Sequence, residues 1–341
     1  MSECSTTNQA APISGALDRT LARHPRPLGG DTARSVGTSL LSLSGMVLDN
    51  SRSQQQLKLE RKPDWLRARL PGGEGYERLL GIVKQHRLHT VCQEASCPNM
   101  GECWSRGSAT IMILGDTCTR SCGFCNVKTG RPADLDADEP RRVAESLALM
   151  GLKHVVITSV NRDELSDGGA AIWAETIRRT HAACPGMTVE TLVGDFCGDE
   201  AALQVVIDAR PEILSHNMET VRRMHPAVRP QAKYSRSLAV LRQIKAGGLV
   251  TKTGIMLGIG EHDHEVIELM ADVRTASRAD ILTIGQYLQP TRNHLPVDRY
   301  VPPATFESMR VAALERGFRI CQSGPLVRSS YRADEHVLQP E

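Results

Sequence analysis

ATIMILGDTCTRSCGFCNVKTGRP, residues 109–132, sets an apolar, β-rich run directly before three cysteines spaced C-x3-C-x2-C. Residues 110–114 read as a strand with the cysteines on the loop that follows. A helix comes next, with Val143, Leu147 and Met150 on one face and Pro140 in its first turn. The unit then repeats. Strands are expected at 154–158, 188–193, 212–214, 251–257 and 280–284, with helices at 170–183, 200–209, 235–246 and 263–277 between them. Parallel neighbours need crossover helices, so six β/α units imply a parallel sheet. Six is short of the eight that close a TIM barrel, and the expected fold is α/β, an incomplete (β/α)6 TIM-type barrel.

In such a fold the reactive groups sit at the C-terminal ends of the strands. Those positions hold the cysteine loop, the run Ser159-Val160-Asn161-Arg162-Asp163-Glu164, Gly194-Asp195-Phe196, His216-Asn217 and Gln286-Tyr287. Polar loop residues also occur at such places without any role.

Composition narrows the function. The chain has 341 residues, 40% hydrophobic and 23% charged, enough for one large α/β domain. A net charge of +2 and 4% aromatics argue against a nucleic-acid surface. No run approaches the roughly 18 apolar residues of a membrane span. Residues 1 to about 50 are rich in Ser, Thr, Gly and Arg, and the apolar patch at 40–48 is broken by Ser42, Ser44 and Gly45. Arg19, Arg23, Arg26 and Arg34 suit a transit peptide, whereas Glu3, Asp18 and Asp31 argue against one. Residues 1–55 therefore read as a flexible N-terminal tail on a cytoplasmic protein.

Ten cysteines in a chain without a secretory signal point to metal rather than to disulfides. Cys118, Cys122 and Cys125 supply three soft ligands with no fourth nearby, whereas structural zinc takes four. Three thiolates hold three corners of a cubane and leave one iron open. A second triplet, Cys92, Cys97 and Cys103, precedes the strand in the spacing C-x4-C-x5-C and also lacks an adjacent fourth ligand. Cys4, Cys184, Cys197 and Cys321 have no ligand spacing and read as free thiols or small core residues. His216 stands out among the histidines by position alone: contact with a cofactor and a hydrogen bond to backbone are both open.

The C-x3-C-x2-C loop after a first strand resembles the radical S-adenosylmethionine superfamily. The longer stretch 88–132, LHTVCQEASCPNMGECWSRGSATIMILGDTCTRSCGFCNVKTGRP, closely resembles lipoyl synthases. So do RKPDWLR (61–67), SVNRDELSDGGA (159–170), GIMLGIGE (254–261), TIGQYLQPTRNHLPVDRY (283–300) and SGPLVRSSYRA (323–333), and the likeness runs from about Arg61 to Ala333. Biotin synthases and methylthiotransferases are the nearest alternatives, and a zinc-binding interaction module is the alternative from another class. The two triplets in this order and the RSSY segment argue against the other enzymes.

The resemblance implies a sulfurtransferase that inserts two sulfur atoms, at C6 and C8, into an octanoyl chain on a lysine of a lipoyl carrier protein. It implies two 4Fe-4S clusters and two S-adenosylmethionine molecules per lipoyl group. The radical cluster falls on Cys118, Cys122 and Cys125. The auxiliary cluster, the sulfur donor, falls on Cys92, Cys97, Cys103 and Ser330, with Ser329 the weaker alternative. Expected cofactor contacts are Ser159, Asn161, Arg162, Asp163, Asn217 and Gly258, with Asp167, Gly168 and Gly169 shaping the methionine end. No catalytic side chain is expected beyond the clusters. The implied partners are the lipoyl domains of 2-oxoacid dehydrogenase E2 subunits and the glycine cleavage H protein. A flavodoxin or ferredoxin as electron donor and an iron–sulfur carrier for cluster repair are implied as well. The organisation follows as an N-terminal cluster-binding extension (56–104), the radical core (105–320) and a C-terminal segment closing the site (321–341). Gly194, Ser215 and Arg222 depart from the family's usual Pro, Asn and Pro.

Overall fold

Runs rich in Val, Ile and Thr pair side by side in parallel because a helical crossover separates each from the next. The computed structural model describes residues 62–67, 72–86, 89–94, 97 and 99–337. The expected tail, 1–55, lies outside them. The strands are β1 (His89–Thr90), β2 (Ser108–Ile113), β3 (Thr117–Cys118), β4 (Lys128–Thr129), β5 (His154–Ser159), β6 (Thr188–Leu192), β7 (Ile213–Ser215), β8 (Val250–Leu257), β9 (Ile281–Gln286) and β10 (Ile320–Gly324). The helices are α1 (Glu74–Gln85), α2 (Val91–Glu94), α3 (Met100–Ser105), α4 (Glu139–Met150), α5 (Ala170–Ala183), α6 (Glu200–Asp208), α7 (His225–Val228), α8 (Tyr234–Ala246), α9 (Asp263–Ser277) and α10 (Pro303–Glu315).

The main sheet runs β1-β2-β5-β6-β7-β8-β9-β10. Every pairing from β2 to β10 is parallel, and β1 adds an antiparallel edge. Six β/α units are present as expected, the sixth ending in α10. The chain then adds β10 beside β9, a strand beyond the six β/α units expected. Among the described residues no pairing joins β1 to β10, and the sheet is not closed into a full barrel.

Strand alternation sorts the side chains. Ala109, Ile111 and Ile113 of β2 enter the apolar cluster that includes Val143, Leu147 and Met150 of α4. Ser108 and Thr110 face the other way and line a cavity. Burying each large apolar side chain contributes roughly 1.5–3 kcal/mol, so this face fixes the strand's register. Helix α4 carries its proline in the first turn and stops at Gly151, whose φ of 61° lets its N–H reach the Leu147 carbonyl.

Candidate functional site

Cys118 ends β3 at the mouth of the barrel and accepts hydrogen bonds from the backbone N–H groups of Arg120 (3.4 Å) and Asn161 (3.3 Å). The rest of the loop is pinned by backbone contacts. Gly123 donates to the Val228 carbonyl and accepts from Leu295 N–H, both at 2.9 Å, while His294 Nε2 donates to the Cys125 carbonyl at 2.9 Å. A Cβ at Gly123 would stand 2.8 Å from the Leu295 side chain, so this position admits only glycine without rearrangement.

Arg120 fixes the loop from below. It binds Asp163 through two hydrogen bonds, 2.7 and 2.9 Å, and Asp195 at 2.6 Å. Burial alone would raise the Asp195 carboxyl. Arg120, with His216 and Arg236, outweighs that and holds it at about 2. Burial raises Cys122 and pushes Cys125 up to about 11, with the neighbouring Glu219 carboxylate adding to both. Metal binding removes those protons, because thiolates and not thiols are the ligands.

Beside this loop Asn217 donates to Glu219 at 3.0 Å, while its own Oδ1 is buried without a partner among the described residues. Glu219 has φ of 64° and sits in an isolated bridge to Ile255, and burial raises its carboxyl. An unpartnered acceptor next to a half-buried acid beside the thiols is an arrangement that fits the polar end of a nucleoside ligand. The sequence reading missed Glu219, although it lies two residues after Asn217 on the same loop.

The other expected contacts divide. Ser159, Asn161 and Asp163 lie at the end of β5 and on its loop, with Asn161 directly against Cys118. Arg162 instead donates to the Leu114 and Ala133 carbonyls, at 3.0 and 2.9 Å, and pairs with Glu164; its guanidinium is spent on holding loops together. Gly258 donates its N–H to the Glu261 carboxylate (2.7 Å) and accepts from the Asp298 backbone N–H on its carbonyl (2.9 Å), at φ of 91°. Asp167 accepts from Gly169 and Ala171, both at 2.9 Å, and caps α5. His216 is fully engaged by the Val193 carbonyl (3.0 Å) and Ser237 (2.9 Å), and burial with Arg229 drives it down to about 4. It is a core histidine.

The second triplet converges under β2. Cys92 lies on α2, Cys97 N–H donates to the Cys92 carbonyl at 3.0 Å, and Cys103 lies on α3. All three line one small cavity together with Ser108, Thr110, Arg328, Ser330 and Tyr331; Ser329 is not among its walls. Burial raises Cys92 and Cys97, and burial with the negative charge of Cys97, Cys92 and Glu102 pushes Cys103 to about 12.

Arg328 turns toward Cys97 and donates to the neighbouring Val327 carbonyl at 2.7 Å, with no carboxylate paired to it among the described residues. An enclosed guanidinium stays charged and needs an anion. Three thiolates, a serine oxygen and a cation that lacks a carboxylate fit an anionic iron–sulfur cluster.

Of the remaining cysteines, Cys184 and Cys321 are buried in apolar clusters, as expected, while Cys197 is exposed and touches Arg120 at 3.3 Å. Cys4 lies outside the described residues. Among the departures, Gly194 makes room for the Asn161 carboxamide, Ser215 donates to Glu190 at 3.3 Å, and Arg222 pairs with Asp272 over the Tyr234 ring on the surface.

Comparison with known proteins agrees with this geometry. Residues 112–273 match the radical SAM superfamily, and residues 43–97 match the N-terminal domain of lipoyl synthase of the radical SAM family. A lipoyl synthase of Flavobacterium johnsoniae is 55% identical over 278 residues, 81% of this chain and 96% of that protein. A mitochondrial lipoyl synthase of Nematostella vectensis is 55% identical over 279 residues, 82% of this chain and 96% of that one. The crystal structure of Streptococcus suis SuiB bound to S-adenosylmethionine superposes with a TM-score of 0.50 at 10% identity, over 80% of this chain and 60% of SuiB, a likeness of fold alone. On 55% identity across four fifths of its length, the chain belongs to the lipoyl synthase family of radical S-adenosylmethionine enzymes.

Proposed function

We propose that the two triplets divide the reaction between them. Membership of the family makes the chain a sulfurtransferase that inserts two sulfur atoms into a protein-bound octanoyl group and uses 4Fe-4S clusters with S-adenosylmethionine. When bound, those groups supply the electron, the hydrogen-abstracting radical and the sulfur, chemistry no side chain offers for an unactivated C–H bond. Cys118, Cys122 and Cys125 hold the cluster with the open iron. Cys92, Cys97, Cys103 and Ser330 hold the sulfur donor. The observation that carries this assignment is that Ser330, and not Ser329, shares a cavity with Cys92, Cys97 and Cys103.

The remaining side chains position and exclude water. Asn161 and Asp163 fix the cysteine loop, Ser159 borders it, and the free Oδ1 of Asn217 with Glu219 meets the cofactor. Arg162 and Gly258 support these loops from outside the contact surface.

Lipoyl carrier proteins are the substrates. A flavodoxin or ferredoxin as reductant, an iron–sulfur carrier for repair, and a cytoplasmic location complete the proposal, the last supported by thiols spaced for metal. No helix among the described residues is long and apolar enough to cross a membrane.

Two variants test the division. Cys122→Ala should abolish reductive cleavage of S-adenosylmethionine, while Cys97→Ala should retain cleavage and form no lipoyl product. Sulfur insertion by Cys97→Ala would overturn the donor assignment.

A further inference from the structure

A group of charged and polar side chains is buried among β5, β6, β7 and β8. Lys252 of β8 donates to both carboxylate oxygens of Glu190 on β6, at 2.7 and 2.9 Å. The Ser215 hydroxyl on β7 donates to Glu190 at 3.3 Å, and His154, the first residue of β5, places Nε2 3.8 Å from the same carboxylate. All four are at most 2% exposed. None belongs to the sites described above. A fifth member arrives from the far end of the chain: His336, in the turn Ala333–His336, accepts a hydrogen bond from Lys252 on Nδ1 at 3.1 Å and is 1% exposed.

His336 ends a strap that carries Ser330. At its front the strap is held by Asn99 Nδ2, which donates to the Leu326 carbonyl at 2.6 Å. Between the two ends lie ion pairs of Arg106 with Asp334 (2.8 Å) and Glu335 (2.7 Å) and of Arg332 with Glu102 (3.3 Å). Those pairs are solvent-exposed, and such pairs contribute little. The buried contact at His336 is different, because lifting it opens a dry polar cluster. Ser330 is thus strung between Leu326 and His336, four residues from one anchor and six from the other.

We infer that His336, seated against Lys252 in the buried Glu190–Lys252–His154–Ser215 cluster, is a positioning residue that seats the C-terminal strap and so presents Ser330 to the auxiliary cysteine cavity. Lifting the strap would carry Ser330 out of that cavity. The Lys252–Glu190 pair survives without His336, so the barrel keeps its own internal partner. The inference rests on Ser330 being the fourth ligand.

The test uses the full chain carrying Cys118→Ala, Cys122→Ala and Cys125→Ala, so that bound iron reports the auxiliary site alone. His336→Ala and His336→Gln are compared by iron loss to a chelator and, in cluster-free protein, by amide hydrogen exchange at 328–333. Glutamine restores an acceptor for Lys252. In His336→Ala, iron should leave several-fold faster and strap exchange should rise about tenfold, one lost hydrogen bond's worth. Exchange in α4 should not change. His336→Gln should recover both readouts to within about twofold. Unchanged strap exchange in His336→Ala, or a rise spread evenly over the barrel, overturns the inference. A parent chain that takes up no iron refutes the ligand assignment, and the exchange result still decides the latch.

Discussion

Lowering the pH should loosen the strap. Burial, with Lys252 and His154 adding and Asp334 opposing, drives docked His336 to about 3 from its ordinary 6.5. Lifted into water, the imidazole regains the ordinary value, so the lifted state binds the extra proton. Docking is therefore at full strength above about pH 6.5 and is lost progressively as the pH falls toward about 3. Between pH 7.5 and 5.5 the docking constant should fall about tenfold, or about 1.4 kcal/mol. Of the groups that face His336, His154 is also lowered by burial and contributes with the same sign. Asp334 is held below the ordinary range and stays charged throughout this window. Lys252 is pulled down by burial while Glu190 opposes the shift, and their pairing persists. The assay is amide exchange at 328–333 at both pH values, corrected for intrinsic rates, in wild type and His336→Gln. Wild type should show the tenfold change, and His336→Gln should lose most of it. An equal pH response in the two proteins would refute the reasoning.

Three further outcomes follow from the same geometry. Ser330→Cys should assemble both clusters and cleave S-adenosylmethionine but lower the ratio of lipoyl product to 5′-deoxyadenosine in single turnovers, because a soft thiolate grips iron where a hard oxygen lets go; Ser329→Cys, outside the cavity, should do less harm. A Cβ at position 254 would stand 2.6 Å from Thr283 Oγ1 and 2.9 Å from Asn217 Oδ1. Gly254→Ala should displace that amide at a cost of about 1–3 kcal/mol and weaken S-adenosylmethionine binding, measured by equilibrium dialysis, roughly tenfold or more. Anaerobically reconstituted chain should hold roughly eight irons and as many sulfides, and a plateau at half that content would refute the two-cluster account.

The alternation of apolar runs with helical stripes made the six β/α units readable from residues alone, because each strand and each helix face is buried against the next. Short strands were not among those expected, Thr117–Cys118 and Lys128–Thr129 included. His89–Thr90 is too short to show a period, and Ile320–Gly324, with sequence ICQSG, mixes polar and small residues because one face of this last strand is only partly covered. Cysteine spacing pointed to both triplets, since three soft ligands within a dozen residues can reach one group, but it could not point to Ser330, which comes from the far end of the chain. It did not locate the charges that surround them. Arg328 became notable only once its lack of a carboxylate could be seen, and Glu219 only once its positive φ placed the acid beside the thiols. Arg162, Gly258 and His216 lie on the right loops, yet their polar groups are turned to neighbouring chain, a distinction that position in sequence does not carry. The Glu190–Lys252–His336 contact joins residues 62 and 84 positions apart, which no local pattern encodes.

The central claim is that one triplet generates the radical and the other gives up its sulfur. The most direct measurement is a single-turnover reaction of chain reconstituted with isotopically labelled sulfide, incubated anaerobically with an octanoyl-lysine peptide, S-adenosylmethionine and dithionite, and read by mass spectrometry. The account predicts a peptide heavier by two sulfur atoms, both labelled, in wild type, and unmodified peptide with undiminished 5′-deoxyadenosine in Cys97→Ala. Product carrying unlabelled sulfur, or labelled product from Cys97→Ala, would contradict it.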